Sequence, residues 1–135
     1  MTKTFWQALA LLIPLGLSLN ACNSRDPVKP SNHSPIIHSL TVVPDTLGPG
    51  DSTLVTCDAS DPDGDTLVYD WTTDLRMRIK GAPPDYPIKN NTLNSAETFY
   101  LNYTPTRPES AWATCEVRDR LGGGAIRAVV FRVHP

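Results

Sequence analysis

The stretch STLVTCDASDPDGDTLVYDW, residues Ser52 to Trp71, sets two alternating runs around one turn. Thr53, Val55 and Cys57 share one side of the first run, and Leu67, Tyr69 and Trp71 share one side of the second. A period of two is the mark of a half-buried strand. Between the runs, Pro62 presets φ for a turn, Gly64 supplies a positive φ, and Asp61 accepts a backbone N–H two residues on. The segment reads as strand, tight turn, strand.

The same period extends in both directions. IIHSLTVV (Ile36 to Val43), LRMRIK (Leu75 to Lys80), ETFYLNY (Glu97 to Tyr103), AWATCEVRD (Ala111 to Asp119) and GAIRAVVFRV (Gly124 to Val133) bring the count to about seven strands. In LRMRIK, Leu75, Met77 and Ile79 fall on one side, and Arg76, Arg78 and Lys80 form a basic stripe on the other. Charge of that kind blunts an edge strand against aggregation. GAPPDYPIKNNTLNS, from Gly81 to Ser95, is rich in Pro and Asn and reads as irregular. No window keeps a helical period. An all-β, two-sheet sandwich over residues 36–135 is expected, a natural size for one domain.

The chain opens MTKTFWQALALLIPLGLSLNAC. Lys3 is a short positive head, and the apolar run from Phe5 to Leu19 is too short for a span that needs ~20 helical residues. An export signal over residues 1–21 fits better. Leu19-Asn20-Ala21-Cys22 resembles the lipobox of bacterial lipoproteins, which implies that Cys22 carries the lipid and becomes the new N-terminus. Asn23 follows, and the Asp that usually retains such lipoproteins in the inner membrane is absent there, so the resemblance implies the outer membrane. One acyl chain binds a bilayer marginally, whereas two or more anchor durably. CNSRDPVKPSNHSP, residues 22–35, has three prolines and no apolar period, and reads as a tether.

Lys3 is the one charged residue of the signal, so the mature chain keeps 11 basic and 14 acidic side chains. A mildly acidic chain without a basic run is not built for nucleic acid. With Cys22 given to lipid, Cys57 and Cys115 remain as a pair in an oxidising compartment. A disulfide between them closes a loop of about 58 residues. A metal pair is the alternative, but His33, His38 and His134 are scattered and there is no Cys-x-x-Cys.

The order Cys57, Trp71, Cys115 fits the immunoglobulin-like arrangement, in which a core Trp packs on an inter-sheet bridge. Ala113 stands where the tyrosine corner of antibody domains has its Tyr. Pro49-Gly50-Asp51, Asp58 to Asp65, Tyr69 with Trp71, Tyr103-Thr104-Pro105, and Cys115 to Asp119 with Gly122-Gly123 together resemble PKD and related bacterial immunoglobulin-like modules, over about Pro35 to Val133. The resemblance implies a spacer, display or binding module in surface and secreted proteins, without catalysis.

Three further readings bear on a site. Asp61, Asp63 and Asp65 offer oxygens of the kind calcium takes. Counted from Asp61, however, the sixth and twelfth positions are Thr66 and Thr72, where an EF-hand needs Gly and Glu. A site of another kind would need acids such as Asp58 or Asp119, so the loop is read as a turn, with no metal or cofactor expected and calcium as its alternative. Trp112 and Tyr100 face outward by strand parity, as a protein contact or a sugar-stacking platform; the alternative is that Gly81 to Ser95 folds over Trp112. The expectation is a lipid-anchored, non-enzymatic envelope protein that meets a protein partner or acts as a spacer, with carbohydrate binding as the second reading.

Overall fold

The computed structural model describes residues 31–83 and 87–135. The signal at 1–21, the lipidation site Cys22 and most of the tether lie outside the described residues. Among the described residues there are nine strands: β1 Ile36–Val43, β2 Thr46–Leu47, β3 Ser52–Ser60, β4 Val68–Thr73, β5 Met77–Ile79, β6 Ile88–Thr92, β7 Ala96–Leu101, β8 Glu109–Arg118 and β9 Gly124–Val133. They form a four-stranded sheet, β1-β3-β7-β5, and a five-stranded sheet, β2-β9-β8-β4-β6. All pairs are antiparallel except β2 with β9. After β1 the chain passes Val43 and the cis-linked Pro44 and enters the second sheet at β2. This is the immunoglobulin-like sandwich expected from the alternation.

Two strands go beyond the seven expected. β2 has only two residues, too few to display a period. β6 lies inside the stretch read as irregular: its sequence IKNNT has one strongly apolar residue, because it is an edge strand against β4. This placement also answers what covers Trp112. The segment around β6 pairs on the far side of β4, and Trp112 stays 40% exposed. A further departure is Leu75. It sits in the turn before β5, 77% exposed, while Met77 and Ile79 are buried. Nor do the three basic residues form a common stripe: Arg76 turns away to acidic partners, Arg78 caps the Leu75 and Met77 carbonyls, and Lys80 is exposed.

The core is the space between the sheets. Trp71, Phe99, Phe131, Met77, Ile79, Leu47, Val55 and Val117 are all buried. Trp71 on β4 lies directly opposite Cys115 on β8, and its ring meets Phe99 edge-on, with centroids 5.9 Å apart and planes at 67°. Trp71 Nε1 donates to the Asn94 carbonyl at 3.2 Å. Lys89 on β6 reaches Glu97 on β7 at 2.7 Å, and this ion pair ties the two sheets along one side. Cys57 and Cys115, one from each sheet, are both buried. The disulfide expected between them is not formed in this structure, where both sulfurs stand as thiols.

Candidate functional site

The acidic turn lies at one end of the sandwich, between β3 and β4. Asp61 Oδ1 accepts the Asp63 N–H at 2.8 Å and the Asp65 N–H at 3.2 Å, and Gly64, at φ 78°, donates its N–H to the Asp61 carbonyl. The carboxylate thus builds the turn. Asp63 looks outward, to the chain before β1: its Oδ2 accepts the His33 backbone N–H at 2.6 Å, and its Oδ1 lies 3.0 Å from His33 Nδ1. The backbone and ring donors of His33 hold the Asp63 carboxyl below its ordinary range. Its bond to His33 is complete above a carboxylate's usual pKa of ~4 and is lost as pH falls below that range.

Asp119 does the same for the β8–β9 loop. Its Oδ1 accepts the N–H groups of Leu121, Gly122 and Gly123 at 2.7, 3.0 and 2.9 Å, and its Oδ2 accepts Asn32 Nδ2 at 2.7 Å. Burial works to raise this carboxyl, and the bonds from Asn32 and the loop amides outweigh it, leaving it lowered. Asp65 is raised, by burial and by the charges of Asp61 and Asp63.

Oxygens of Asp61, Asp63 and Asp65 come within 4.8 Å of one another, close enough in principle for a cation. Asp61 Oδ1 and both oxygens of Asp63 already accept hydrogen bonds, while Asp61 Oδ2 is buried without a partner among the described residues, and the spacing of the acids is not that of an EF-hand. Asp58 is exposed on β3 and is not among the clustered acids. Calorimetric titration near physiological salt is therefore expected to show no calcium binding tighter than the millimolar range. A micromolar site abolished by Asp63→Ala would overturn the turn reading.

The opposite end carries a different construction. Thr73 Oγ1 and the Asp74 N–H both donate to the Trp112 carbonyl, at 2.6 and 3.3 Å. Arg76 grips Asp74 through Nε at 2.8 Å and Nη2 at 2.6 Å, and its Nη1 reaches Glu109. Its guanidinium lies 5.8 Å from the centre of the Tyr103 ring, and the Tyr103 hydroxyl donates to Glu109. Asp74 is held below the ordinary carboxylate range by the Arg76 side chain. This network fixes the β4–β5 turn against the start of β8. Trp112 and Leu75 line one surface recess with Asp74 and Arg76, forming an exposed apolar shelf on a rigid mount.

Trp112 pairs with Val130 on the outer face of the five-stranded sheet, where Val130 and Ile126 are also exposed. Further along that face a groove of about 370 Å³ runs past Asp70, Thr72, Asn90, Thr114, Glu116 and Arg118. Tyr100 is elsewhere. It faces out from β7, between Ser52 and Arg78, on the other sheet. The two outward aromatics read from the sequence are therefore on opposite faces and cannot form one platform. Strand parity finds outwardness, but it does not tell which sheet a strand joins.

No protein-family profile matches the sequence, and no curated protein matches it. Among solved structures, the chain is similar to a protein of the β-sandwich carbohydrate-binding-module superfamily, with a TM-score of 0.53 and 19% identity over 78% of this chain and 36% of that one. It is also similar to a nucleoside hydrolase-related protein from Saccharophagus degradans, with a TM-score of 0.56 and 19% identity over 77% of this chain and 26% of that one. The PKD1 domain of Vibrio anguillarum Epp gives a TM-score of 0.49 and 15% identity, covering 77% of this chain and 98% of that domain. The fold is an immunoglobulin-like, two-sheet β-sandwich. At such identities the likeness is one of fold alone, and the chain spans about a third and a quarter of the two larger proteins.

Proposed function

We propose that this protein is a lipid-anchored, non-enzymatic component of a bacterial envelope, its anchor at Cys22 and its destination the outer membrane, and that it presents its sandwich for contact with another protein. The observation that carries the reading is the Trp112–Leu75 shelf. Two large apolar side chains are exposed at 40% and 77%, and backbone bonds and the Arg76 network hold their mount in place. Trp is enriched among the few residues that dominate binding energy, and a pre-organised mount lowers the cost of ordering it on association.

Carbohydrate binding is the second reading, supported by the polar groove beside Ile88 and Ile126 on the same face. It ranks lower because Trp112 is the one exposed aromatic of that face among the described residues, and sugar platforms gain from several.

Crosslinking in intact cells, followed by purification from the membrane fraction, tests the proposal. A stoichiometric envelope protein is expected with the wild type. Trp112→Ala should weaken its capture at least tenfold, in line with the ~2 kcal/mol or more of a hot spot, with the fold unchanged. Cys22→Ala should leave the protein unprocessed or released from membranes. Glycan-array binding lost in Trp112→Ala, with no protein captured, would move the second reading to first place.

A further inference from the structure

The outer face of the larger sheet carries a second construction, beyond the Trp112–Leu75 shelf. The groove past Asp70 and Thr114 shares Glu116 and Arg118 with a smaller recess of about 270 Å³, lined also by the glycines of the β8–β9 loop. β6 supplies one rim through a bulge. Tyr69 pairs with Thr92 and Trp71 with Lys89, so Asn90 and Asn91 together face the single residue Asp70. Asn91 stands at φ 57° and gives its N–H to Asp70 Oδ1 at 2.6 Å, while Asp70 Oδ2 binds Arg118 Nη2. The bulge thus fixes the carboxylate, and the carboxylate fixes the guanidinium. On the other side Asp119 gathers the loop amides, and the loop so closed holds Arg120 at φ 66°, which a bulky side chain seldom adopts. Asn91 and Arg120 are the two non-glycine residues with positive φ among the described residues, and both line the smaller recess. Strain of this kind gathers at ligand sites. Gly124, directly opposite Arg118, leaves one wall bare without need of the fold: a Cβ there would meet the Val117 carbonyl at 3.5 Å, an ordinary contact.

We propose that this groove binds a neutral glycan chain, laid along β8 from Thr114 to Arg118. The proposal rests on the carbohydrate reading above and moves it from Trp112 to a different set of groups. Four charges border the groove, Asp70, Glu116, Arg118 and Arg120, two of each sign. They sum to zero, so the site favours neither an anion nor a cation. A sugar hydroxyl both donates and accepts, and neighbouring hydroxyls are met by donors and acceptors set side by side. Arg118 is held through one Nη and keeps further N–H groups for a ligand. Glu116, two positions back on the same strand face, is exposed and has no hydrogen bond or ion pair among the described residues, so it is an open acceptor. Ile88 and Ile126 line the larger recess and give the C–H faces of a sugar apolar surface. Charge-assisted hydrogen bonds, roughly twice as strong as neutral ones, stand in here for the aromatic platform that the face lacks. Four residue steps from Thr114 to Arg118 cover ~13 Å, longer than a single sugar ring.

An array of neutral and acidic glycans, probed with the full-length chain in detergent, tests this. Neutral chains should be captured, and capture should change little from low to high salt, since no net charge is there to be screened. Glu116→Ala should weaken it about tenfold or more, the loss of one hydrogen bond to a charged group. Gly124→Leu, which fills the bare wall from an exposed position, should weaken it at least as much. Urea unfolding of both variants should match the wild type, because neither position is buried. Trp112→Ala should leave capture of neutral glycans intact, which separates the groove from the shelf. Capture of no glycan at all would overturn the groove as a sugar site, and the carbohydrate reading with it. Capture confined to acidic glycans, falling steeply with salt, would overturn the neutral ligand and leave the carbohydrate reading standing. Capture lost in Trp112→Ala but kept in Gly124→Leu would overturn the groove and return the sugar to the shelf.

Discussion

Replacing Trp71 by alanine is expected to cost about 3–5 kcal/mol, the range for truncating a fully buried large aromatic. Trp71 has no exposed surface. It sits on a central strand of the larger sheet, flanked by β8 and β6, and looks across to Phe99 on the other sheet. Its β8 partner is Cys115, and Ala111 and Ala113 on the same face are small. Small neighbours leave room for the indole, and by the same geometry none of them can grow into the space it vacates. The loss also strips Phe99 of its edge-on contact and leaves the Asn94 carbonyl to water. Against a total of ~5–15 kcal/mol for a domain, that loss is a large fraction of the margin, and the variant should unfold at a clearly lower urea concentration. Urea unfolding at 25 °C, with the slope checked for constancy, measures it. A loss below ~1 kcal/mol would mean that Trp71 is not at the centre of the core, and with it would go the assignment of β4 to a central strand.

What the sequence disclosed and what it hid follow from the range of the forces involved. β1 and β9 were legible to the residue because each carries a long run of alternation between turn residues. Trp71 as a core residue was legible because it shares a face with Leu67 and Tyr69. β6 was not, since an edge strand packed on one side needs few apolar residues, and Ile88 alone does not make a period. Leu75 was assigned inward because alternation was carried through a turn; the chain reverses at Asp74, whose carboxylate takes the Arg76 N–H at 2.9 Å. The acidic turn was read correctly as a turn, but its second use was hidden. Nothing local in Asn32-His33-Ser34 distinguishes a docked arm from a linker. The binding groups come from loops far along the chain, and only the sandwich brings them together. Trp112 and Tyr100 show the same limit: outwardness is local, while the choice of sheet is a property of the whole topology.

The sulfurs of Cys57 and Cys115 are expected to become a disulfide once the protein is exported, although the structure holds them as thiols. Each lies on its own sheet, Cys57 on β3 and Cys115 on β8, and both face the core. Contact with the Cys115 thiol lowers the pKa of Cys57, while the Cys57 sulfur, and then burial, drive Cys115 far up. Attack by a thiolate is the step that makes or exchanges disulfides. Burial keeps oxidants out of the closed core, so joining should occur while the sheets are still open, during folding in the export compartment, where two protons and two electrons pass to its oxidant. The bond closes a loop of about 58 residues. In the chain-entropy description that adds roughly 4 kcal/mol. It also backs Trp71, which lies in register with Cys115, so losses from reduction and from Trp71→Ala should not add. Protein isolated from the envelope and denatured in alkylating agent should take up no label at either cysteine until a reductant is added. Its urea stability should then drop by up to ~4 kcal/mol on reduction. Labelling of both cysteines in denaturant alone would refute the bridge, and the core would then owe its stability to packing around two thiols.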